Sequence, residues 1–380
     1  MHILFISHSA DLMGAELSLP PVVREAVRVR GHRVTVTVPA EGPLCAELTA
    51  AGAAVVVLPT SLWMGRRFNP VVGGIRLLQA LSSFPRYRRY VARSKPDLVV
   101  TNSVVVPAGA FAARRNRIRH VWLIQESLLT NPSLRSALPR PTIARIIASL
   151  SDGAVVVSEF VAGQLLGVAP ALRQKVRVIP PSIDPWGAVP EPDPRRDGTK
   201  LERLILLGRY SAEKGQAEAI EALGHCLKRG RAFELKLAAV GDHTKQQALR
   251  DLARAHRVEH LVEISEWTSD PLALYAWADA TLMLSRNEAY GRVTAESLLA
   301  GTPVIGYRAG ATTEIVADGG GLLVEPRAEA LAEALLNLAA DGDSYASLRA
   351  DARRRAGALG AEPPSATKLV DYLEYLQAKH

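Results

Sequence analysis

The sequence predicts an α/β protein of two successive units, each a mostly parallel sheet covered by helices. Three observations predict it. Short β-branched-rich apolar runs alternate with helical patterns along the chain, and near-continuous apolar strands separated by helices mark a sheet buried on both faces. The alternation breaks once, over residues 180–200 (PPSIDPWGAVPEPDPRRDGTK), where proline and charge accumulate as in an inter-domain linker, and then restarts. A length of 380 residues suits two domains, and 48% hydrophobic with 22% charged residues excludes a disordered or fibrous chain.

In the first half, HILFIS (2–7), HRVTVTVP (32–39), AAVVVLP (53–59), DLVVTNS (97–103), HVWLIQE (120–126) and GAVVVS (153–158) read as strands with helix-like stretches between them. In the second, the strands are LERLILLGR (201–209), FELKLAAVG (233–241), HLVEIS (260–265), ATLMLS (280–285), PVIGYR (303–308) and GLLVEP (321–326). Helices are expected at 214–229, 244–256, 271–278, 292–301 and 328–340. PPSATKLVDYLEYLQAKH reads as one amphipathic helix after Pro363-Pro364. Both units are thus Rossmann-like, with a cleft expected between them.

Composition narrows the setting. Two cysteines, Cys45 and Cys226, form neither a disulfide framework nor a metal-ligand spacing, so a reducing, cytoplasmic compartment is expected. MHILFIS lacks the basic n-region and cleavage site of a signal peptide, and the longest apolar stretch, Leu98–Ala113, is too short and too polar to span a membrane. The net charge of +8 is unevenly spread. Residues 1–185 carry 22 Lys/Arg against 10 Asp/Glu, and residues 186–380 carry 24 against 28. The basic half draws on Arg66-Arg67, FPRYRRYVARSK (84–95) and RRNRIR (114–119). Such a surface is either a solvated face or an attractor of anions, such as acidic lipid head groups or phosphorylated acceptors. No nucleic-acid motif accompanies it, and nucleic acid is not an expected partner. The segment Gly74–Lys95, with Arg86, Arg88, Arg89 and Arg93 among Phe84, Tyr87 and Tyr90, is a candidate interfacial element at the inner face of a membrane.

Ligands of open α/β sheets bind beyond the carboxyl ends of strands, so those ends carry the chemistry. In SRNEAYGRVTAESLLAGTPVIG (285–306) a strand gives way to a polar loop, and a helix is expected near Gly291-Arg292. Glu288 precedes it and Glu296 lies about one turn inside. A helix start offers free N–H groups and positive dipole to a diphosphate, and the glutamates can bind sugar and ribose hydroxyls or merely favour the dipole. In LLGRYSAEKGQAEAI (206–220), Arg209 and Lys214 flank a turn closed by Gly215. They can hold a diphosphate without metal or form a solvated basic turn. In HSADLMGAELSL (8–19), Gly14 sits in the first strand–helix loop, where its backbone can approach a phosphate or sugar. A GxGxxG fingerprint is lacking throughout, which counts against dinucleotide binding.

Taken together, GRYSAEKG, VGDH (240–243), DPLALYAWADATLMLSRNEAYGRVTAESLLAGTPVIG (270–306), AGATTEIVADGGGLLVEP (309–326), MGAE (13–16), VVVSEFVAGQLL (155–166) and IPPSID (179–184) resemble the retaining GT-B glycosyltransferases of family 4. The resemblance covers nearly the whole chain. It implies an acceptor-binding domain of residues 1–182, joined by a C-terminal helix, 364–380, that crosses back to it. A donor-binding domain, 183–363, would take the nucleotide sugar, with UDP the default and GDP next. Arg209 and Lys214 fall where the family neutralises the donor diphosphate, Glu288 where it meets the transferred sugar and Glu296 where it binds ribose. Ala289, Tyr290 and Gly291 would present backbone amides, with Arg292 and Val293 opening the helix beside them. Gly241 would lie against the donor, Trp267-Thr268 near the base, and Gly14 on the N-terminal glycine loop.

Three positions depart from the pattern. Pro181-Ser182 stand where Asn-Gly is common, Met13 precedes Gly14 where glycines are often paired, and Gln125-Glu126 replace a histidine frequent after HVWLIQ. Gln125 or Glu126 is expected to meet the reacting sugar or the acceptor, and His120, at the strand's start, to be structural. The implied mechanism is front-face transfer with retention, in which the leaving diphosphate helps deprotonate the acceptor hydroxyl and no metal or other cofactor is required. Asp341-Gly342-Asp343 reads as helix capping, and His256 with His260 as a helix–strand junction rather than a zinc pair. The acceptor would be a lipid-linked glycan, another glycoconjugate, a soluble oligosaccharide or a natural product. Rival readings are a two-lobed relative acting as phosphorylase or epimerase, and a non-catalytic nucleotide-sugar sensor.

Overall fold

The computed structural model describes residues 1–12, 14–65, 70–181, 183, 199–241, 243–267, 270–361 and 363–379. The linker expectation at 180–200 therefore falls largely outside the described residues, as do those on Met13, Arg66, Arg67, Asp242 and Thr268. The chain forms two compact units, Met1–Ser182 with Pro363–His380, and Ile183–Glu362.

The first unit holds β1 (His2–Ile6), β2 (Arg33–Val38), β3 (Ala54–Val57), β4 (Met64–Gly65), β5 (Leu98–Asn102), β6 (Arg119–Ile124), β7 (Arg135–Ser136), β8 (Gly153–Val156) and β9 (Val176–Val178). Seven of them make one sheet, ordered β3-β2-β1-β5-β6-β8-β9, with every pairing parallel. The other two, β4 and β7, form a small antiparallel pair. Its helices are α1 (Leu19–Arg24), α2 (Pro43–Ala51), α3 (Pro70–Ser94), α4 (Ala108–Asn116), α5 (Arg140–Leu150) and α6 (Glu159–Val168). The central strands β1 and β5 are buried along their whole length, as continuous apolar runs require when helices cover both faces.

The second unit holds β10 (Arg203–Arg209), β11 (Glu234–Val240), β12 (Val262–Glu266), β13 (Ala280–Met283), β14 (Val304–Tyr307) and β15 (Gly321–Val324), ordered β12-β11-β10-β13-β14-β15 and parallel throughout. Its helices are α7 (Gln216–Lys228), α8 (His243–Ala255), α9 (Pro271–Trp277), α10 (Arg292–Leu299), α11 (Thr312–Ile315), α12 (Ala328–Ala340) and α13 (Gly342–Ala361). Asp270 caps α9 by accepting the Ala273 N–H at 3.2 Å. Asp341 accepts the Ser344 N–H at 3.1 Å and its hydroxyl at 2.6 Å, the capping role expected of the Asp-Gly-Asp segment.

The chain then returns to the first unit as α14 (Ser365–Ala378). Leu369, Val370 and Leu373 enter that unit's core beside Leu19, Val23 and Val155. Arg30 pairs with Asp371 and, at 3.0 Å, with Glu374.

Two expectations need correcting. Helix α13 and strand β9 lie outside the elements expected from the sequence. Two of the three aromatic residues of the 74–95 segment, Phe84 and Tyr87, do not face outward, and Tyr90 is half-buried. Tyr87 is fully buried, donating its hydroxyl to the Leu58 carbonyl at 3.0 Å, and Phe84 packs edge-on against Phe111 at 6.4 Å. Among the described residues that α3 exposes are Ile75, Leu78 and the arginines 86, 88, 89 and 93.

Candidate functional site

In each large sheet, successive strands run outward to one side of the first strand and then to the other. The reversal leaves a crevice at the carboxyl ends of two adjacent strands, β10 and β13 in the second unit, β1 and β5 in the first. The second unit's crevice collects most of the singled-out residues. Arg209 ends β10, opposite Val240 of β11, and its carbonyl accepts the Gln216 side-chain amide at 2.8 Å. The chain then turns through Lys214 and Gly215 into α7. Gly215 has φ +76, and a Cβ there would meet the Leu284 Cβ at 2.4 Å, so only glycine lets this turn press against the end of β13. That approach brings Lys214 Nζ to 2.5 Å from Glu288 Oε2.

Glu288 is itself held from behind. Its carbonyl accepts the Ala311 N–H at 2.9 Å, and a Cβ on Gly310 would lie 2.7 Å from that carbonyl oxygen. Ala289 and Tyr290 continue the loop, Gly291 stands at the N-cap of α10, and Arg292 and Val293 open the helix. Glu296, 5% exposed, accepts the Tyr275 hydroxyl at 3.0 Å and an Arg292 N–H at 3.2 Å. Burial pushes its carboxyl above the ordinary 4.5, more than Arg292 and Tyr275 pull it down. A partly exposed cation–carboxylate pair therefore stands beside the start of an eight-residue helix whose first turns bury a second carboxylate.

Gly241 follows β11, and a Cβ on it would meet the Tyr210 side chain at 2.7 Å. Trp267 is 41% exposed just after β12, the edge strand. It is two strands, roughly 10 Å, from β10, and so on the flank of the crevice rather than in it.

The first unit's crevice is polar too. Gln125 donates to Asn102 Oδ1 at 2.6 Å and to Ser18 Oγ at 2.9 Å, beside a small, mostly apolar cavity lined by Leu19, Val22, Leu123, Val155 and Ile179. Glu126 accepts the Ser103 hydroxyl, the Val104 N–H at 3.3 Å and the Gln125 N–H at 3.2 Å. Ser103 takes φ +87, a costly conformation for a residue other than glycine. His8 Nε2 stands 3.0 Å from Glu16 Oε1. Burial would lower the His8 pKa, but the Glu16 and Glu126 carboxylates and the Asn102 carbonyl outweigh it and hold the pKa above 6.5. Burial likewise pushes Glu126 up, against the Ser103 hydroxyl, His8 and the two amides. Gly14 opens the turn before Glu16, with nothing within 4 Å of the place a Cβ would take.

Two family profiles match the sequence: the one described as Glycosyltransferase Family 4 over residues 14–186, and Glycosyl transferases group 1 over 192–355. The chain belongs to glycosyltransferase family 4. A glycogen synthase of Mycobacterium tuberculosis is 34% identical over 164 residues, 42% of this chain and 39% of that protein. A D-inositol 3-phosphate glycosyltransferase of Xylanimonas cellulosilytica is 28% identical over 250 residues, 60% of this chain and 58% of that one. The matches thus span well under two thirds of these relatives' lengths. The fold is GT-B, two Rossmann-like domains. The structure of HepE from Anabaena in complex with UDP and glucose superposes with a TM-score of 0.74 at 21% identity, covering 98% of this chain and 99% of that one.

Within this family 4 chain, the structure brings Arg209, Lys214, Glu288, Ala289, Tyr290, Gly291, Arg292, Val293 and Glu296 to one crevice, with Gly241 and Trp267 toward the sheet's edge. Gly14, Gln125 and Glu126 lie in the other unit. His120 is buried, 2.9 Å from Thr101 Oγ1 and edge-on to Trp122; burial lowers its pKa to about 3, in keeping with a structural role. Sequence reasoning missed His8 and Glu16. A histidine directly after the first strand, with a glutamate eight residues on, was the available signal.

Proposed function

We propose that the chain is a retaining glycosyltransferase that moves a sugar from a nucleotide-diphosphate donor, UDP- or GDP-linked, to a hydroxyl of a glycan, lipid-linked glycan or natural-product acceptor. The observation that carries this reading is the Lys214–Glu288 pair at the strand-order reversal, beside the start of α10. There the donor diphosphate meets Arg209, Lys214 and the free N–H groups of α10, an electrostatic setting that stabilises charge growing on a leaving group. Donor binding draws Lys214 toward phosphate and frees Glu288 to accept hydrogen bonds from the sugar hydroxyls. Glu296, fixed by Tyr275 and Arg292, takes the ribose diol, and the base lies toward Gly241 at the end of β11.

The acceptor belongs to the first unit. As the bond from the anomeric carbon to the phosphate oxygen breaks, the acceptor oxygen bonds that carbon from the same face. The acceptor's proton passes to the departing phosphate oxygen, which keeps the bonding electron pair. Side chains and helix dipole supply the positive charge, so the reading assigns no metal. A uridine donor is supported by the likeness to HepE, whose complex contains UDP and glucose. The exposed face of α3, where Ile75 and Leu78 precede the arginines 86, 89 and 93, suits a peripheral contact with anionic lipid, and no described helix is long and apolar enough to cross a membrane.

The test is nucleotide release from UDP-, GDP- and ADP-sugars with and without acceptor, in EDTA, with the product's anomeric configuration read by NMR. Acceptor-dependent release with retention is expected. Release that requires a divalent cation, or an inverted product, overturns the mechanism. Binding of nucleotide sugar without release favours the sensor.

A further inference from the structure

We propose that Arg286 is a positioning residue: with Glu218 it holds the Glu288 loop in place once Lys214 has been drawn to the donor diphosphate. The inference rests on the glycosyltransferase reading and adds to it a pair that this reading leaves without a role. Two ion pairs join the same two segments of the second unit. The turn into α7 and its first residues supply Lys214 and Glu218, and the loop after β13 supplies Arg286 and Glu288. Lys214 Nζ stands 2.5 Å from Glu288 Oε2, and Arg286 Nη1 stands 2.7 Å from Glu218 Oε1. The pairs run in opposite order along the two segments, as the cross-links of an antiparallel hairpin do. Their polarity is also opposite, since the α7 side gives the cation to the first and the anion to the second.

That polarity decides which pair a donor opens. A diphosphate competes with Glu288 for Lys214, whereas the second pair presents it a guanidinium already neutralised by Glu218. Arg286 is fixed by more than Glu218. Its Nη2 donates to the Pro326 carbonyl at 2.8 Å, just before α12, and its guanidinium lies over the Tyr307 ring, 5.2 Å from the centroid. Tyr307 ends β14 and is fully buried, so the ring is a fixed floor. One side chain thus ties the loop to α7, α12 and β14, two residues before Glu288. The Ala311 N–H braces the Glu288 carbonyl from behind, and Arg286 braces the loop from the side. With side-chain exposures of 46% and 21%, the Arg286–Glu218 pair adds little to global stability. Its effect is local, because a misplacement of about 1 Å at a reacting group costs up to about 10² in rate. The diphosphate is held by Arg209, Lys214 and α10 in this scheme, so the loss falls on the sugar rather than on the nucleotide.

The experiment uses the full chain, titrated calorimetrically with UDP, UDP-glucose, GDP and GDP-mannose, and follows nucleotide release from the two sugars. Arg286→Gln should leave Kd for the free nucleotide within about twofold, weaken the nucleotide sugar relative to it about tenfold, and lower kcat about tenfold or more. Arg286→Lys keeps a charge facing Glu218 and should recover part of kcat. Glu218→Gln should act in the same direction, and the double variant should cost no more than the worse single one, because either change opens the same link. Melting should fall by no more than about 2–4 °C in each. Arg254→Gln, which opens a comparably exposed pair with Glu259 on the flank of the same unit, should change none of these readings. Unchanged kcat and Kd ratio in both single variants, equal weakening of nucleotide and nucleotide sugar, or a large fall in melting with normal kcat overturns the proposal. Should Arg286→Gln not fold, Glu218→Gln, which spares the Pro326 bond, gives the same readings. A wild-type chain that binds nucleotide sugar without releasing nucleotide overturns the transferase reading, while the Kd ratio still decides the role of Arg286. Normal turnover in every variant overturns the positioning role alone.

Discussion

Lys214 and Glu288 lie 74 residues apart in sequence and 2.5 Å apart in space, across the two strands where the sheet reverses direction. Replacing either with alanine should lower kcat/KM by about 10²–10³, the usual loss when one charge-stabilising group is removed from a polar active site. The melting temperature should hardly move, because a partly exposed ion pair contributes at most about 1 kcal/mol. A large shift in melting with normal turnover would show the pair to be structural. Glu296 is different. Burial holds its folded pKa above 4.5, so the folded chain binds that proton more readily than the unfolded one. Its charge therefore costs stability that appears as pH rises past about 4.5 and is complete above the raised value. Glu296→Gln should match wild type in melting below pH 4.5, exceed it near neutrality, and bind donor less tightly; melts across pH with a donor titration check this. These two glutamates were legible in the sequence because each stands at a recognisable strand–loop–helix junction. His8 and Glu16 were not, since their meeting depends on the turn conformation of the segment between β1 and α1, which spacing alone does not reveal.

At the scale of elements, the loop after β14 works as a backstop. Gly310 has φ +60, and a Cβ there would sit 2.7 Å from the Glu288 carbonyl oxygen and 2.8 Å from its nitrogen. Gly310→Ala should cost about 1–3 kcal/mol and displace the Glu288 loop, lowering donor turnover. Thermal melts and steady-state kinetics together test it, and normal turnover would mean that the loop yields without moving Glu288. Helix α14 supplies a second case. Leu373 is fully buried in the first unit's core, so Leu373→Ala should cost about 2–5 kcal/mol, measured by denaturant unfolding. That helix showed in the sequence through its paired prolines and amphipathic spacing. The opposite held for α13 (Gly342–Ala361): its apolar residues are mostly small alanines, its arginines are clustered, and Gly357 and Gly360 blur the period. Strand β9 is three residues long and only partly buried, too short for alternation to register. Phe84 and Tyr87 misled for a related reason, because a helix with a wet arginine face must bury aromatics on its other face, and their spacing alone does not say which way they look.

Over the whole molecule, the two-unit plan followed from texture alone, since a proline-rich break between two runs of strand–helix alternation admits few other folds. The candidate donor residues all fall in one unit, so UDP should slow amide hydrogen exchange at residues 206–216, 284–296 and 308–312. It should leave the sheet of the first unit unchanged; protection centred on residues 8–18 would relocate the nucleotide. At about a hundredfold excess over Kd the stabilisation should approach 2.7 kcal/mol. The return of α14 to the first unit bears on how the chain is made. Synthesis proceeds from residue 1 onward, and domains generally fold as they emerge from the ribosome. Residues 183–362 leave the tunnel as one uninterrupted stretch and can fold at once. The earlier-made part must wait, with Leu19, Val23 and Val155 still lacking their cover, until Leu369, Val370 and Leu373 arrive. For that interval the nascent chain presents greasy surface to chaperones while the later-made unit is already in shape.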